Sequence, residues 1–234
     1  MLRMRQNDRD VSEMIEIVTH CFGERFATLL NYHLSSVVLN ESQPVTVTVM
    51  YATNDNLTTK VLSYFGVINR PWITWNFIHM PIQSLYQRPI GRNLAAKSSK
   101  ADVIWFTDAD YVFGDRCLNA VWVPQDDGIY HPEREYHTTR KAKVQMIDAL
   151  LKNSNVISDI VRIDPSQFAL TGVRRAVGGV QIISGDTARK VGYLPDNKEW
   201  QKPLEQYNRD DGSAFWRNLF TKFGTMVIPN VFRI

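Results

Sequence analysis

Four bulky apolar residues, Val103-Ile104-Trp105-Phe106, lead through Thr107 to two carboxylates spaced i, i+2, Asp108 and Asp110. A short apolar run without polar alternation predicts a strand buried on both faces. Side chains alternate along a strand, so Asp108 and Asp110 are expected on the same side at its C-terminal end. Two anions held that close repel unless a cation or hydrogen-bond donors intervene. In open α/β sheets the ligand crevice lies outside the carboxyl ends of the strands. The pattern asks for a hard divalent cation, bound through oxygen and shared with a phosphorylated ligand. A calcium-binding EF-hand loop is excluded, because counting from Asp108 its sixth position is Phe113 instead of Gly and its twelfth is Asn119 instead of Glu.

Three other places carry chemistry-capable residues. Tyr51-Ala52-Thr53-Asn54-Asp55-Asn56 closes a β-branched run with hydrogen-bonding groups, though Thr-Asn-Asp-Asn is also ordinary turn composition. Arg92 offers a planar donor fork for a diphosphate or, equally, for one of the aspartates. Asp210-Asp211-Gly212 reads as a helix start with acids at the positive end of the dipole.

The elements that must position these groups follow from periodicity. Val11 to Leu39 is expected to be an amphipathic helix, with Met14, Ile15, Val18, Phe22, Phe26, Leu29 and Leu30 at helical spacing. Val45–Tyr51 predicts a strand, Leu57–Phe65 a helix, Trp72–His79 a strand and Ser84–Ser99 a helix entering the carboxylate strand. The alternation predicts a mostly parallel sheet with right-handed crossovers. Further on, 128–131 and 178–183 predict short strands and 140–152 a helix. A short helix is expected over 186–191 with Gly192 as its C-cap, then a helix over 214–223 and a strand over 226–228.

The bulk composition sets limits. At 234 residues and 44% hydrophobic, the chain is long enough for a core without staples, and no linker or repeat divides it. A net charge of +3 is too mild and too dispersed to argue for a nucleic-acid partner, so none is expected, and it is compatible with acidic small ligands. Cys21 and Cys117 have no metal-type spacing and read as two free thiols of a reducing compartment. The first ten residues are charged, unlike a secretory leader, and no apolar run has the ~20 residues of a membrane span. A cytoplasmic protein is expected.

With these blocks in hand, the chain resembles glycosyltransferases of the GT-A fold, similar to the DxD-containing family 2 enzymes. Arg92-Asn93 stands sixteen residues before Asp108, in the register of the family's Arg-Asn…Asp-x-Asp block. Gly178-Gly179 followed by Asp186 to Tyr193 is similar to the segment beside the acceptor. Asp210-Asp211, with Arg217 six residues on, resembles the family's Glu-Asp pair. The resemblance implies a single Rossmann-like GT-A domain over 1–234, an α/β fold with a mostly parallel central sheet flanked by helices. About 1–115 would bind the nucleotide-sugar and about 116–234 the acceptor. It implies a metal-dependent, hexosyl-type transfer from a nucleotide-sugar, a UDP-sugar by likeness, to a hydroxyl acceptor. Asp110 and Asp108 would hold Mn2+ or Mg2+, with Asp108 also near the ribose. Tyr51, Ala52, Thr53, Asp55, Arg92, Ala109 and Gly179 would contact the donor, and Gly179 would let backbone approach the sugar. Asp211, with Asp210, would deprotonate the acceptor. No His follows His137 to serve as a late metal ligand, and Asp stands at 210 where the family has Glu.

Two rival classes fit parts of the sequence. Asp108-Ala109-Asp110 also resembles the nucleophile motif of haloacid-dehalogenase-like phosphatases, with Asp108 attacking phosphorus. That motif belongs on a first strand, whereas two β-α units are expected ahead of this one. A non-catalytic nucleotide-sugar or glycan-binding module is the third class.

Overall fold

The computed structural model describes residues 13–152, 159–176, 178–193, 202–206 and 220–234. Its frame is a seven-stranded sheet in the order β3-β2-β1-β4-β9-β6-β10. These strands are β1 (Ile15–Cys21), β2 (Val45–Tyr51), β3 (Ile73–His79), β4 (Val103–Phe106), β6 (Ile129–Pro132), β9 (Gln181–Ser184) and β10 (Phe223–Met226). Strand β9 runs antiparallel to both its neighbours, β4 and β6, and the other pairings are parallel. The expectation of an α/β fold with a mostly parallel sheet is met.

Strand alternation builds the layers. Ile15 and Ile17 of β1, Val45, Val47 and Val49 of β2, and Val103 and Trp105 of β4 share one buried cluster. Its cover is α1 (Glu24–Leu39) and α2 (Asn56–Gly66), through Leu30, Leu34, Val61 and Phe65. The alternate residues Val18, Met50, Ile104 and Phe106 face the opposite cluster. There α3 (Ile82–Tyr86), α4 (Arg88–Ser98) and α6 (Gly185–Val191) supply Leu85, Ala95, Ala96 and Ala188. Helices therefore cover both sheet faces, as a parallel sheet requires. Two further elements, β5 (Tyr111–Phe113) and β11 (Val231–Arg233), join β7 (Arg134–Thr138) and β8 (Phe168–Gly172) in a four-stranded sheet ordered β5-β11-β7-β8. Val112, Phe232 and Phe168 of this sheet pack on Leu29 and Tyr32 of α1 and on Ile147 and Leu150 of α5 (Arg140–Lys152). Among the described residues no helix is long and apolar enough to cross a membrane.

The structure corrects several expectations. The helix expected over 11–39 is a strand followed by a helix, because Ile15–Cys21 is the centre of the sheet and all seven residues are buried. Its apolar residues satisfy helical spacing by coincidence. The break is Gly23, at φ 82, a left-handed position that glycine adopts without Cβ strain. The helix expected over 84–99 is two helices: Gln87 leaves the α region, and Pro89, with no N–H to continue the ladder of α3, falls in the first turn of α4 where none is needed. Phe223 opens β10 instead of ending a helix, and that strand spans 223–226, three residues earlier than expected. The remainder of the expected 214–223 helix lies partly outside the described residues. The expected helices 140–152 and 186–191 are present, the latter closed by Gly192 at φ 72.

Candidate functional site

From β1 the chain builds outward through β2 and β3, then returns to place β4 on the other side of β1. The carboxyl ends of β1 and β4 therefore flank the topological switch point, where open α/β sheets form their ligand crevice. Asp108 and Asp110 sit there. They lie in the turn between β4 and β5, outside the strand itself, closed by a hydrogen bond from Tyr111 N to Asp108 O. Both carboxylates line one cavity of about 360 Å³ together with His20, Phe22, Arg88 and Arg233.

Four cations answer the two carboxylates. Arg88 Nη1 lies 2.8 Å from Asp108 Oδ1, and Arg92 Nη2 lies 3.2 Å from the same oxygen. Arg233 Nε and Lys143 Nζ stand 3.3 and 3.4 Å from Asp110 Oδ2. Like-charge repulsion within the Asp pair is thus offset by cations on both sides. Burial disfavours the Arg233 guanidinium, but Tyr111, Asp110 and Asp108 around it more than offset this and hold its pKa above the usual value. Arg92 is completely buried and bonds the Tyr193 hydroxyl at 3.0 Å and Gln181 Oε1 at 3.4 Å. The contact with an aspartate that its sequence position allowed is present.

The residues fit a divalent cation in one respect. Asp110 Oδ1 is buried with no hydrogen-bond partner among the described residues, an open acceptor oxygen at the mouth of the site. No group of three or more His, Cys, Asp or Glu is placed to hold a metal among those residues. An ion held by one or two carboxylates and completed by ligand phosphates and water is the usual Mg2+ arrangement.

The expected donor-contacting residues divide. Tyr51, Ala52, Thr53 and Asp55 were assigned to the end of the first strand of the sheet, but they lie at the end of β2, because β1 precedes it. Asp55 caps α2, accepting from Thr58 N at 3.1 Å and Thr58 Oγ1 at 2.8 Å, and also accepts from Gly23 N, tying the β1 and β2 loops together. It lines a second cleft of about 610 Å³ with Phe22, Lys60 and Tyr86. Thr53 pairs with His79 and Tyr51 packs edge-on to the same ring, while Ala52 is buried. Ala109 is buried in the carboxylate turn. Gly179 does permit a close approach, but to Tyr111, since a Cβ there would stand 2.3 Å from Tyr111 Cε2. Asp210 and Asp211 lie outside the described residues.

The structure adds groups that sequence reasoning missed. Arg88 precedes Arg92 by four residues on α4, a helical spacing that pointed to it. Phe22 follows the unrecognised β1, and its ring stands 5.4 Å from Tyr86 and 5.5 Å from Phe26. His20 is buried with neither ring nitrogen bonded to a described residue, and burial, then Arg92 and Arg88, push its pKa well below 6.5. Lys143 and Arg233 arrive from α5 and β11 with no local signal. Both thiols are free and buried, and burial pushes Cys21 up to about 12 and raises Cys117 as well, which disfavours the thiolate.

No protein-family model matches the chain, and no curated protein matches it. Among solved structures the chain is similar to the apo structure of the WbbM bifunctional glycosyltransferase, at 12% identity and a TM-score of 0.41. The similarity covers 79% of this chain and 33% of that one, so the chain spans about a third of that protein. A likeness at this level weighs nothing for or against an activity.

Proposed function

We propose that this chain is a glycosyltransferase that moves a sugar from a nucleoside diphosphate sugar to a hydroxyl acceptor. The observation that carries the reading is the Asp108–Asp110 turn at the switch point, met by Arg88, Arg92, Lys143 and Arg233. Arginines and a lysine gathered at the carboxyl ends of a parallel sheet suit a diphosphate, and planar guanidinium forks suit its oxygens. The adjoining cleft offers the Phe22 ring for a base and Asp55 for hydroxyl groups, so nucleoside and diphosphate would occupy neighbouring spaces. The GT-A resemblance, from Arg92-Asn93 through Asp110 to Gly179, names the sugar nucleotide among diphosphate ligands.

Asp110, through its open Oδ1, and Asp108 would hold Mn2+ or Mg2+, which would supply Lewis-acid stabilisation of charge on the departing diphosphate. Arg233 and Arg88 would bind the same phosphates, and Arg92 would hold Asp108 in place from behind. UDP is the nucleotide the resemblance implies, and Asp211 the acceptor-side carboxylate.

The test is a donor screen with manganese across UDP- and GDP-sugars, following nucleoside diphosphate and inorganic phosphate separately. Release of one diphosphate, abolished in Asp110→Asn, is the expected result. Phosphate release without donor preference would mean a phosphatase, and tight nucleotide binding with neither product a binding module.

A further inference from the structure

The four-stranded sheet has two chemically different faces. Val112, Phe232 and Tyr136 are in register across β5, β11 and β7 and face the apolar cluster under α1 and α5. By alternation, Tyr111, Phe113, Val231, Arg233, Glu135 and His137 share the other face, where Phe113 and Val231 enter the main buried cluster and Arg233, Glu135 and His137 form a polar end. Arg233 is in register with both Tyr111 and His137, and its Nε reaches Asp110, so this polar end meets the carboxylate turn. On it, His137 Nε2 lies 2.7 Å from Glu135 Oε2, and the Tyr111 hydroxyl lies 3.3 Å from each Glu135 oxygen. The Glu135 side chain is 3% exposed and the His137 side chain 37%. A carboxylate only accepts, so Nε2 carries the proton and Nδ1 the lone pair. Nδ1 bonds no described residue. A buried carboxylate fixing the tautomer of an accessible imidazole suits proton transfer.

We propose that His137, oriented by Glu135, is the general base that takes the acceptor proton. This rests on the glycosyltransferase reading. The acceptor O–H gives its proton to Nδ1 while its oxygen forms the bond to the anomeric carbon. The bond from that carbon to the diphosphate oxygen breaks, and its electron pair leaves with the diphosphate. The resulting imidazolium faces the Glu135 carboxylate. The other charged or titratable groups on this face are Tyr111 on β5 and Arg233 on β11, and β8 opposes His137 with Ala169.

The experiment is single-turnover release of the nucleoside diphosphate from the donor that the screen identifies, with water as acceptor, across pH. It compares wild type with His137→Asn, Glu135→Gln and Asp211→Asn, and calorimetry with the same diphosphate and manganese runs alongside. The expected result is a rate loss on the order of 10²- to 10⁴-fold in His137→Asn, with the acid limb of the pH profile gone and diphosphate binding within about twofold of wild type. Glu135→Gln slows release and displaces the same limb. A His137→Asn rate within about threefold of wild type, with the limb intact, overturns the assignment, as does loss of that limb in Asp211→Asn alone. If His137→Asn fails to fold, a wild-type rate and profile in folded Glu135→Gln overturns it instead. Wild-type protein that releases no nucleoside diphosphate from any donor of the screen refutes the transferase reading itself, and the assignment falls with it.

Discussion

Arg92 reaches Asp108 from a position with no solvent exposure, its Nη2 3.2 Å from Oδ1 while Nη1 holds the Tyr193 hydroxyl at 3.0 Å. The Arg92 guanidinium also lies over the Tyr193 ring, 5.4 Å from the centroid. One buried side chain thus ties α4, the carboxylate turn and the segment after α6 together. Removing one partner of a buried ion pair typically costs about 3–5 kcal/mol, since the other charge is left uncompensated. Arg88, 16% exposed, still faces Asp108, so the lower end applies. Arg92→Met is expected to lose about 3 kcal/mol in urea unfolding, and a loss below about 1 kcal/mol would show that Asp108 does not depend on it.

The Arg92–Asp108 relation was legible in the sequence because both ends sit in dense local patterns, an apolar strand and a helix in register with it. So were β2, β3, β4, β9, α5 and α6, whose periodicities are clean. The first strand was not, for a physical reason: Ile15–Cys21 is buried on both faces, so it lacks the alternation that distinguishes a strand, and its spacing also satisfies a helix. That single misreading put Val45–Tyr51 first in the strand order, where it is second, and hid Phe22. The cations Lys143 and Arg233 were illegible for another reason, since they meet Asp110 from α5 and from β11 of the four-stranded sheet, whose strands have only three to five residues.

Stability should fall in acid. Burial depresses His33 to about 4 from 6.5 and holds His20 well below 6.5. Between pH 6.5 and 4 the unfolded chain binds protons on these imidazoles that the folded chain refuses, so unfolding free energy declines as pH falls. His33 alone accounts for about 3 kcal/mol across that window. Urea midpoints at pH 7 and pH 5 measure the decline, and His33→Asn should flatten it. An unchanged slope would place the acid sensitivity elsewhere.

Two glycines make opposite predictions. A Cβ on Gly185 would stand 1.9 Å from the Ala101 carbonyl oxygen, a backbone atom that cannot rotate away, whereas one on Gly172 meets nothing within 4 Å. Gly185→Ala is expected to cost about 3 kcal/mol, the upper end for overpacking, because α6 must shift from β4. Gly172→Ala should stay within about 0.5 kcal/mol. Thermal melts of the pair test the packing of α6, and equal melts would contradict it.

Nucleotide binding should separate the two clefts by their physics. Phe22 offers a ring face, and base–aromatic stacking is worth about 1–3 kcal/mol and is insensitive to salt. Arg233 contributes charge, which ionic strength screens over about 10 Å at 0.1 M. Phe22→Ala is therefore expected to weaken UDP binding on the order of tenfold at every salt concentration. Arg233→Gln should weaken it by a similar factor at low salt and converge on wild type as salt rises. Calorimetric titrations at two ionic strengths distinguish these outcomes. Parallel salt dependences for wild type and Arg233→Gln would mean that the diphosphate lies away from Asp110 and that the cations around the carboxylate turn serve the fold alone.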